Sequence, residues 1–306
     1  MRIAIMGSGG VGSYFGARLA ASGEDVTFIT RGAHLAALRE RGMSVKSPHG
    51  DFKLGTVAAT GDPSTVGAVD VVLVTVKLYD LDNACDVIAP MVRPSTMIVP
   101  IQNGVSAVDI ACSRFDREDV VGGLVFVASF VVAPGIVEHR TELHRLSFGE
   151  RDGSMSDRVL AFRNAGQKAG FDAHGSDDIE LELWTKFALL GGISPVSTLS
   201  RQTVGAIEAD EDLWALTRQS VSEVVAVGRA KGIALPPDIV EATLALNARF
   251  DPGTKTSMLL DLEAGKPLEH EWISGEIVRL GRELGVPTPF HEMAYAVLKP
   301  FAAGNR

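Results

Sequence analysis

Residues 1–32 read MRIAIMGSGGVGSYFGARLAASGEDVTFITRG. Arg2 to Met6 is a short apolar run, Gly7, Gly9 and Gly12 follow at G-x-G-x-x-G spacing, and Tyr14 to Ala20 continues as a helical segment. Asp25 to Thr30 supplies a second strand. Strand, glycine turn, helix and strand in that order predict the opening βαβ unit of a dinucleotide-binding Rossmann domain. The three glycines have separate expected tasks: a tight turn, close backbone approach to a pyrophosphate, and close helix–strand packing. Ser8, Gly10 and Val11 complete the loop, Gly7 to Gly12, and the helix N-terminus behind it favours an anion.

The end of the second strand indicates which dinucleotide. An NAD site usually carries Asp or Glu there, accepting from the ribose 2′-OH. This chain has Thr30-Arg31-Gly32, and an arginine can clamp a 2′-phosphate in bidentate fashion. NADP(H) is the expected cofactor, with a solvated surface arginine as the alternative for Arg31.

The length of 306 residues allows two domains and a large core. A formal net charge of −9 argues against a nucleic-acid or anionic-membrane partner and leaves Arg31 and Lys77 as local anion sites. Two cysteines, Cys85 and Cys112, are too few for a disulfide framework and fit a reducing cytoplasm. They form no zinc-type spacing with the seven histidines, so no metal is expected. A strand and glycine loop begin at once, where a signal peptide would carry a basic and then an apolar region. Val120 to Val137 is free of charge, but Gly122-Gly123, Pro134-Gly135 and many Val and Phe suit a buried strand and hairpin better than a membrane helix.

Further along, short strands are expected between Gly42 and Thr60, a strand buried on both faces at Val69 to Val76, and a helix at Asp80 to Ala89. Strands follow at Thr96 to Ile101, Leu143 to Phe148 and Phe171 to Ala173, with a helix around Ser156 to Ala169. This alternation predicts a doubly wound α/β domain over residues 1–175. Ligands bind beyond the carboxyl ends of such strands, so Lys77 and Asn103 are site candidates by position. A surface lysine and an Asn-Gly turn are the plain alternatives.

From residue 176 to 306 the pattern is helical, with breaks expected at Pro195, Pro236-Pro237, Pro252-Gly253, Gly265-Lys266-Pro267 and Pro287. In the first of these helices Ile179, Leu183 and Leu190 form one stripe, and Lys186 falls within roughly 60° of all three. A lysine there must snorkel, pair or act, and desolvation would lower its pKa toward a value useful for proton transfer. An i,i+4 pair with Glu182 is the alternative. Glu269 falls near the stripe of Ile273, Ile277, Leu280 and Leu284, where a first-turn carboxylate is also favoured by the helix dipole. Ser257 opens another helix, where a capping role is the simpler reading.

Taken together, these residues resemble the ketopantoate reductase (2-dehydropantoate 2-reductase) family, nearly end to end. The matching pieces are Gly7-Ser8-Gly9-Gly10-Val11-Gly12, Val74-Thr75-Val76-Lys77, Gln102-Asn103-Gly104-Val105 and Trp184-Thr185-Lys186-Phe187. Ala230-Lys231-Gly232-Ile233, Thr256-Ser257-Met258-Leu259, Asp261-Leu262-Glu263-Ala264-Gly265, Leu268-Glu269-His270-Glu271 and Gly285-Val286-Pro287-Thr288-Pro289 continue the likeness. It implies a Rossmann domain joined to an all-α C-terminal domain like that of 6-phosphogluconate dehydrogenase. It also implies reduction of a 2-oxo acid by NADPH, making pantoate for pantothenate and coenzyme A biosynthesis. By resemblance Lys186 is the general acid, Glu269 binds substrate and helps position Lys186, and Asn103 lies near the nicotinamide and substrate. Ser257 would lie near the substrate carboxylate, and Arg31 with Lys77 near the cofactor phosphate.

The chain departs from the family where K-x-x-x-N-x-x-x-N-P is usual: Leu190 and Ser194 stand in place of the asparagines that grip the substrate, before Pro195. A further family asparagine is replaced by Ser274, before Gly275. A leucine cannot make the replaced hydrogen bond, and sites built on such bonds discriminate strongly. Three functions therefore remain: reduction of ketopantoate itself, reduction of a different, more apolar 2-oxo acid or related carbonyl compound, and non-catalytic sensing of NADPH. Retention of both Lys186 and Glu269 argues against the last. The expected partner is a small 2-oxo acid, with a homodimer left open.

Overall fold

The computed structural model describes residues 1–304. The chain forms two compact units: Met1–Gln102 with Ala107–Ile179, and Asn103–Ser106 with Glu180–Arg306.

The first unit opens with β1 (Arg2–Met6), α1 (Gly10–Ala21), β2 (Asp25–Ile29), α2 (Gly32–Arg41), β3 (Met43–Lys46), β4 (Phe52–Leu54) and β5 (Ala58–Thr60). It continues with β6 (Val71–Val74), α3 (Leu81–Ile88), β7 (Met97–Pro100), α4 (Ala107–Cys112), β8 (Gly122–Ala133), β9 (Ile136–Gly149), α5 (Asp157–Lys168) and β10 (Asp172–Gly175). Five strands make a parallel sheet in the order β5-β2-β1-β6-β7, with Ile3 opposite both Val26 and Val71. All four residues of β6 are buried, as a strand covered on both faces requires. Small residues let α1 lie close on this sheet: a Cβ at Gly16 would stand 2.6 Å from the Phe28 ring and 2.8 Å from Ile5.

One doubly wound sheet is not what the second half of this unit forms. The uncharged run from Val120 becomes β8, a Pro134-Gly135 turn with Gly135 at φ 78, and the start of β9. The hairpin belongs to a second sheet, β10-β9-β3-β4 with β8 also on β9, in which β9 runs antiparallel to β8 but parallel to β3 and β10. Only the first part of β8 is sheet core; Phe130, Val131 and Val132 are 38%, 38% and 46% exposed.

The hairpin packs on α1 through a polar cluster that sequence periodicity does not reveal. Arg18 Nε donates to the Tyr14 hydroxyl at 2.9 Å, which lies 2.9 Å from His144 Nδ1. The rings of His49, His139 and His144 stack within 14° of parallel. Burial, helped by the neighbouring His49 and Arg18 charges, pushes His144 down to about 4, so its ring is neutral at physiological pH.

The second unit is helical: α6 (Ile179–Ser200, beginning at the last residue of the first unit), α7 (Val204–Glu208), α8 (Glu211–Ala230), α9 (Ile239–Asn247), α10 (Ser257–Glu263), α11 (Glu276–Leu284) and α12 (Pro289–Leu298). A π-helical turn, Glu271–Gly275, leads directly into α11. The expected break at Pro195 does not occur, and α6 runs through it. Proline removes the N–H that would bond the carbonyl four residues back. That carbonyl, Gly191 O, instead accepts from Ser220 Oγ at 3.2 Å. A Cβ at Gly192 would stand 2.3 Å from Val221, so α8 packs close enough to supply this substitute bond.

Candidate active site

In the first unit the glycine loop lies between β1 and α1. Gly7 has φ 99, and a Cβ on it would meet Val76 N at 2.8 Å, so this position needs glycine twice over. A Cβ at Gly12 would stand 2.3 Å from Thr75 Oγ1 and 2.6 Å from Gly7 O, the close packing expected of the third glycine. Gly9 is different: a Cβ there meets nothing within 4 Å. It is the N-cap of α1 and has no side-chain capping bond. Open space over uncapped first-turn N–H groups fits a pyrophosphate seated on backbone.

Gly10 carries a constraint outside the three-glycine pattern. A Cβ there would stand 2.0 Å from Ser129 O, and Ser129 Oγ donates to Gly10 O at 3.0 Å, so β8 buttresses the loop. Ser8 is buried and Val11 half-buried. Arg31 follows β2 as the exposed N-cap residue of α2, and half-buried Lys77 follows β6 two residues after Thr75.

In the second unit Lys186 lies on α6 with only 6% of its surface exposed. Its Nζ donates to Asn103 Oδ1 at 3.1 Å. Burial holds its pKa down to about 8, and the Glu269 carboxylate pulls it part of the way back. The lysine is therefore buried rather than snorkelling to solvent. Glu269 is itself 5% exposed, but it does not lie in a helical turn as the stripe suggested. It sits just before the helical residues, and its carbonyl accepts from Trp272 N at 3.1 Å where the π-turn begins. The widened turn shifts the register, so extrapolation back from Ile273 places the residue near the right face for the wrong reason.

Asn103 belongs to the loop after β7. Gln102 ties that loop down by donating to the Val74 and Val76 carbonyls at 3.0 Å each, and Gly104 turns it with φ 96. Asn103 and Gly104 line a cavity of about 140 Å³ with Phe187, Leu190, Ile193 and Ser194 of α6. Val204, Phe250, Thr254, Thr256, Ser257 and Ile273 complete its wall. The cap of α10 is Thr256, which accepts from Leu259 N at 3.4 Å, and this leaves the exposed Ser257 at the cavity. Ser274 does not line it: fully buried, its hydroxyl lies 3.2 Å from His291 Nδ1.

Of the residues singled out in the sequence, the helical unit holds Asn103, Lys186, Glu269, Ser257, Leu190 and Ser194; Asn103, Leu190, Ser194 and Ser257 line the cavity, and Lys186 reaches it through its bond to Asn103. Val204 and Phe250, which also line the cavity, were not singled out by sequence. No local signal marks them; they meet because Val204 N bonds Thr254 O at 2.9 Å and Gly205 N bonds Pro252 O at 3.0 Å.

A family model described as "Ketopantoate reductase PanE/ApbA" matches residues 3–153, and one for its C-terminal part matches residues 178–302. The chain belongs to the ketopantoate reductase family. It is 34% identical to a 2-dehydropantoate 2-reductase of Mesorhizobium japonicum, over 99% of this chain and 98% of that protein. A solved 2-dehydropantoate 2-reductase from Geobacter metallireducens matches with a TM-score of 0.92 at 31% identity, covering 98% of this chain and 99% of that one. A ketopantoate reductase structure from Ralstonia eutropha matches with a TM-score of 0.90 at 30% identity, covering 99% and 98%. The resemblance and the Rossmann-plus-helical fold read from sequence are therefore borne out. As a ketopantoate reductase family member the chain is an oxidoreductase.

Proposed function

We propose that this protein reduces 2-dehydropantoate (ketopantoate) to pantoate with NADPH, using Lys186 as the general acid. The observation that carries this is a buried ammonium whose pKa is held to about 8, bonded to an asparagine that lines a substrate-sized cavity. A group titrating near neutrality is protonated often enough to donate and weak enough to let go.

The residues of the first unit fit a phosphorylated dinucleotide. Gly7 to Gly12 present backbone to the pyrophosphate, with open space at Gly9 where the approach is closest. Arg31 and Lys77 take the 2′-phosphate end, Arg31 through its planar guanidinium. Bound NADPH supplies a hydride to the ketone carbon. Lys186 then gives its proton to the oxygen as negative charge builds there, and before that its cation stabilises the charge. Asn103 orients the ammonium and the substrate carbonyl, Glu269 holds Lys186 and the substrate hydroxyl, and Ser257 receives the substrate carboxylate. These are the roles of one domain of about residues 1–175 and a second of about 176–306.

One observation favours a second reading, a different 2-oxo acid. Leu190 and Ser194 both line the cavity, where family asparagines would offer amides. The deciding measurement follows NADPH oxidation over a panel of 2-oxo acids including ketopantoate, with Lys186→Ala as control. The variant should bind NADPH normally and turn over nothing; near-normal turnover would remove Lys186 from the mechanism. No turnover of ketopantoate with turnover of another acid would select the second reading.

A further inference from the structure

Lys186 feels the Glu269 carboxylate, yet the two residues come from distant parts of the chain. Their relative position therefore depends on how the elements that carry them are tied together. Glu269 precedes the π-helical turn Glu271–Gly275. Such turns are rare, mostly a single widened turn, and frequent at functional sites. This one is pressed onto α12. A Cβ at Gly275 would stand 2.9 Å from the Tyr295 ring, whose hydroxyl donates to Glu271 Oε2 at 2.7 Å. Between those two contacts lies Ser274, fully buried, with its hydroxyl against His291.

His291 is a buried junction in the first turn of α12. Its Nδ1 lies 3.2 Å from Ser274 Oγ, and its Nε2 lies 3.2 Å from the Ser220 carbonyl oxygen on α8. A carbonyl only accepts, so Nε2 carries the proton and Nδ1 accepts from the Ser274 hydroxyl. Burial holds the ring's pKa to about 4, so it stays neutral at physiological pH. The backbone beneath the ring is fixed as well. Glu223 of α8, itself buried, accepts from Phe290 N at 2.9 Å, from His291 N at 3.1 Å and from Gln219 Nε2 at 3.0 Å. Ser220 carries the tie on to α6: its Oγ, 3.3 Å from His291 Nε2, donates to Gly191 O. One ring thus connects the helix bearing Lys186 to the turn that follows Glu269.

We propose that His291 is a positioning residue for proton transfer: its ring, bonded to Ser274 and Ser220, fixes the π-turn relative to α6 and so holds the Glu269 carboxylate where it supports the Lys186 ammonium. This rests on the reductase reading given above and adds to it a residue that does not line the cavity. Packing alone would not do the same work. Apolar burial has no direction, whereas a buried polar network with its partners satisfied specifies one arrangement. The demand for such an arrangement is steep, since misplacing a reacting group by about 1 Å can cost about 100-fold in rate.

Ser274→Ala tests this with little loss of volume. With ketopantoate, or the best-reduced acid of the panel, kcat should fall about 10- to 100-fold while the KM for NADPH stays unchanged. The alkaline limb of kcat/KM should also move to lower pH, by at least about half the shift that Glu269→Gln produces, because Lys186 loses part of the carboxylate's support. His291→Leu should act in the same direction, and His291→Asn, whose amide oxygen can accept in place of Nδ1, should bring the limb back toward the parent's. An unmoved limb in both Ser274→Ala and His291→Leu would overturn the proposal. Ile277→Val trims the buried face of α11 without touching these bonds and should leave the limb in place; an equal shift there would reduce the effect to lost packing and likewise overturn it. Should the parent reduce no 2-oxo acid, the reductase reading fails by itself. The carbon-13 shift of Lys186 Cε, titrated with alkali in lysine-labelled protein, then reads the lysine's pKa directly. A lower value in Ser274→Ala than in the parent upholds the positioning role, and an equal value strikes it.

Discussion

Replacing Lys186 with methionine should make the helical unit more stable while ending turnover. An exposed lysine titrates near 10.5, and burial holds this one to about 8. The difference corresponds to about 3 kcal/mol of preference for the neutral side chain in the folded state. Below about 8 both folded and unfolded chains carry the proton, so the whole cost is present at neutral pH. As pH rises from about 8 toward 10.5 the folded chain sheds its proton before the unfolded one, and the cost disappears. The stability difference between Lys186→Met and the parent should thus be about 2–3 kcal/mol at pH 7 and close to zero near pH 10.5. Loss of the cation also leaves the buried Glu269 carboxylate without its compensation, which subtracts from the gain. The exchange should therefore be repeated in a Glu269→Gln background, where the gain should be at least as large. All three tryptophans, Trp184, Trp214 and Trp272, lie in the helical unit, so urea unfolding followed by tryptophan fluorescence reads this unit. Equal or lower stability at pH 7 in both backgrounds, or a difference that does not change with pH, would refute a desolvated ammonium at this position.

The same lysine sets a pH dependence of rate: kcat/KM for reduction should be level below about 7 and fall tenfold per pH above about 8. In Glu269→Gln the alkaline fall should move to lower pH, because the carboxylate raises the lysine's pKa; a move upward would contradict that pairing. Arg31→Ala should weaken NADPH at least about tenfold more than NADH, read from the two KM values, and equal losses would deny the arginine a 2′-phosphate role. Gly10→Ala should cost about 1–3 kcal/mol of stability through the Ser129 carbonyl, seen as a lowered Tm. Gly9→Ala meets no atom in the folded chain, so it should leave Tm nearly unchanged while raising the Kd for NADPH.

Much of this was legible from local pattern. Strand, glycine loop and helix are neighbours in sequence, so G-x-G-x-x-G at Gly7 to Gly12 announced the parallel sheet before any long-range contact was known. Lys186 was legible because a helix repeats every 3.6 residues, and a charge on an apolar stripe is an anomaly that periodicity exposes. Longer-range features escaped. The hairpin of β8 and β9 forms its own sheet because pairing is chosen among distant strands. Pro195 could stay inside α6 only because Ser220, on another helix, bonds the carbonyl it leaves free. The π-turn after Glu269 changed a register that sequence spacing assumed to be regular.

The sequence by itself determined the glycine loop between strand and helix, the helical second half, the lysine on an apolar stripe and the presence of Leu190 and Ser194 after it. Tertiary structure alone decided that Gly10 is held by β8, that Ser274 belongs to the core with His291, and that Val204 and Phe250 join Leu190 in lining one cavity. The division has a physical cause. Backbone conformation and amphipathic periodicity are fixed by near neighbours, whereas the chemistry of a cavity depends on which remote side chains close packing brings to its surface.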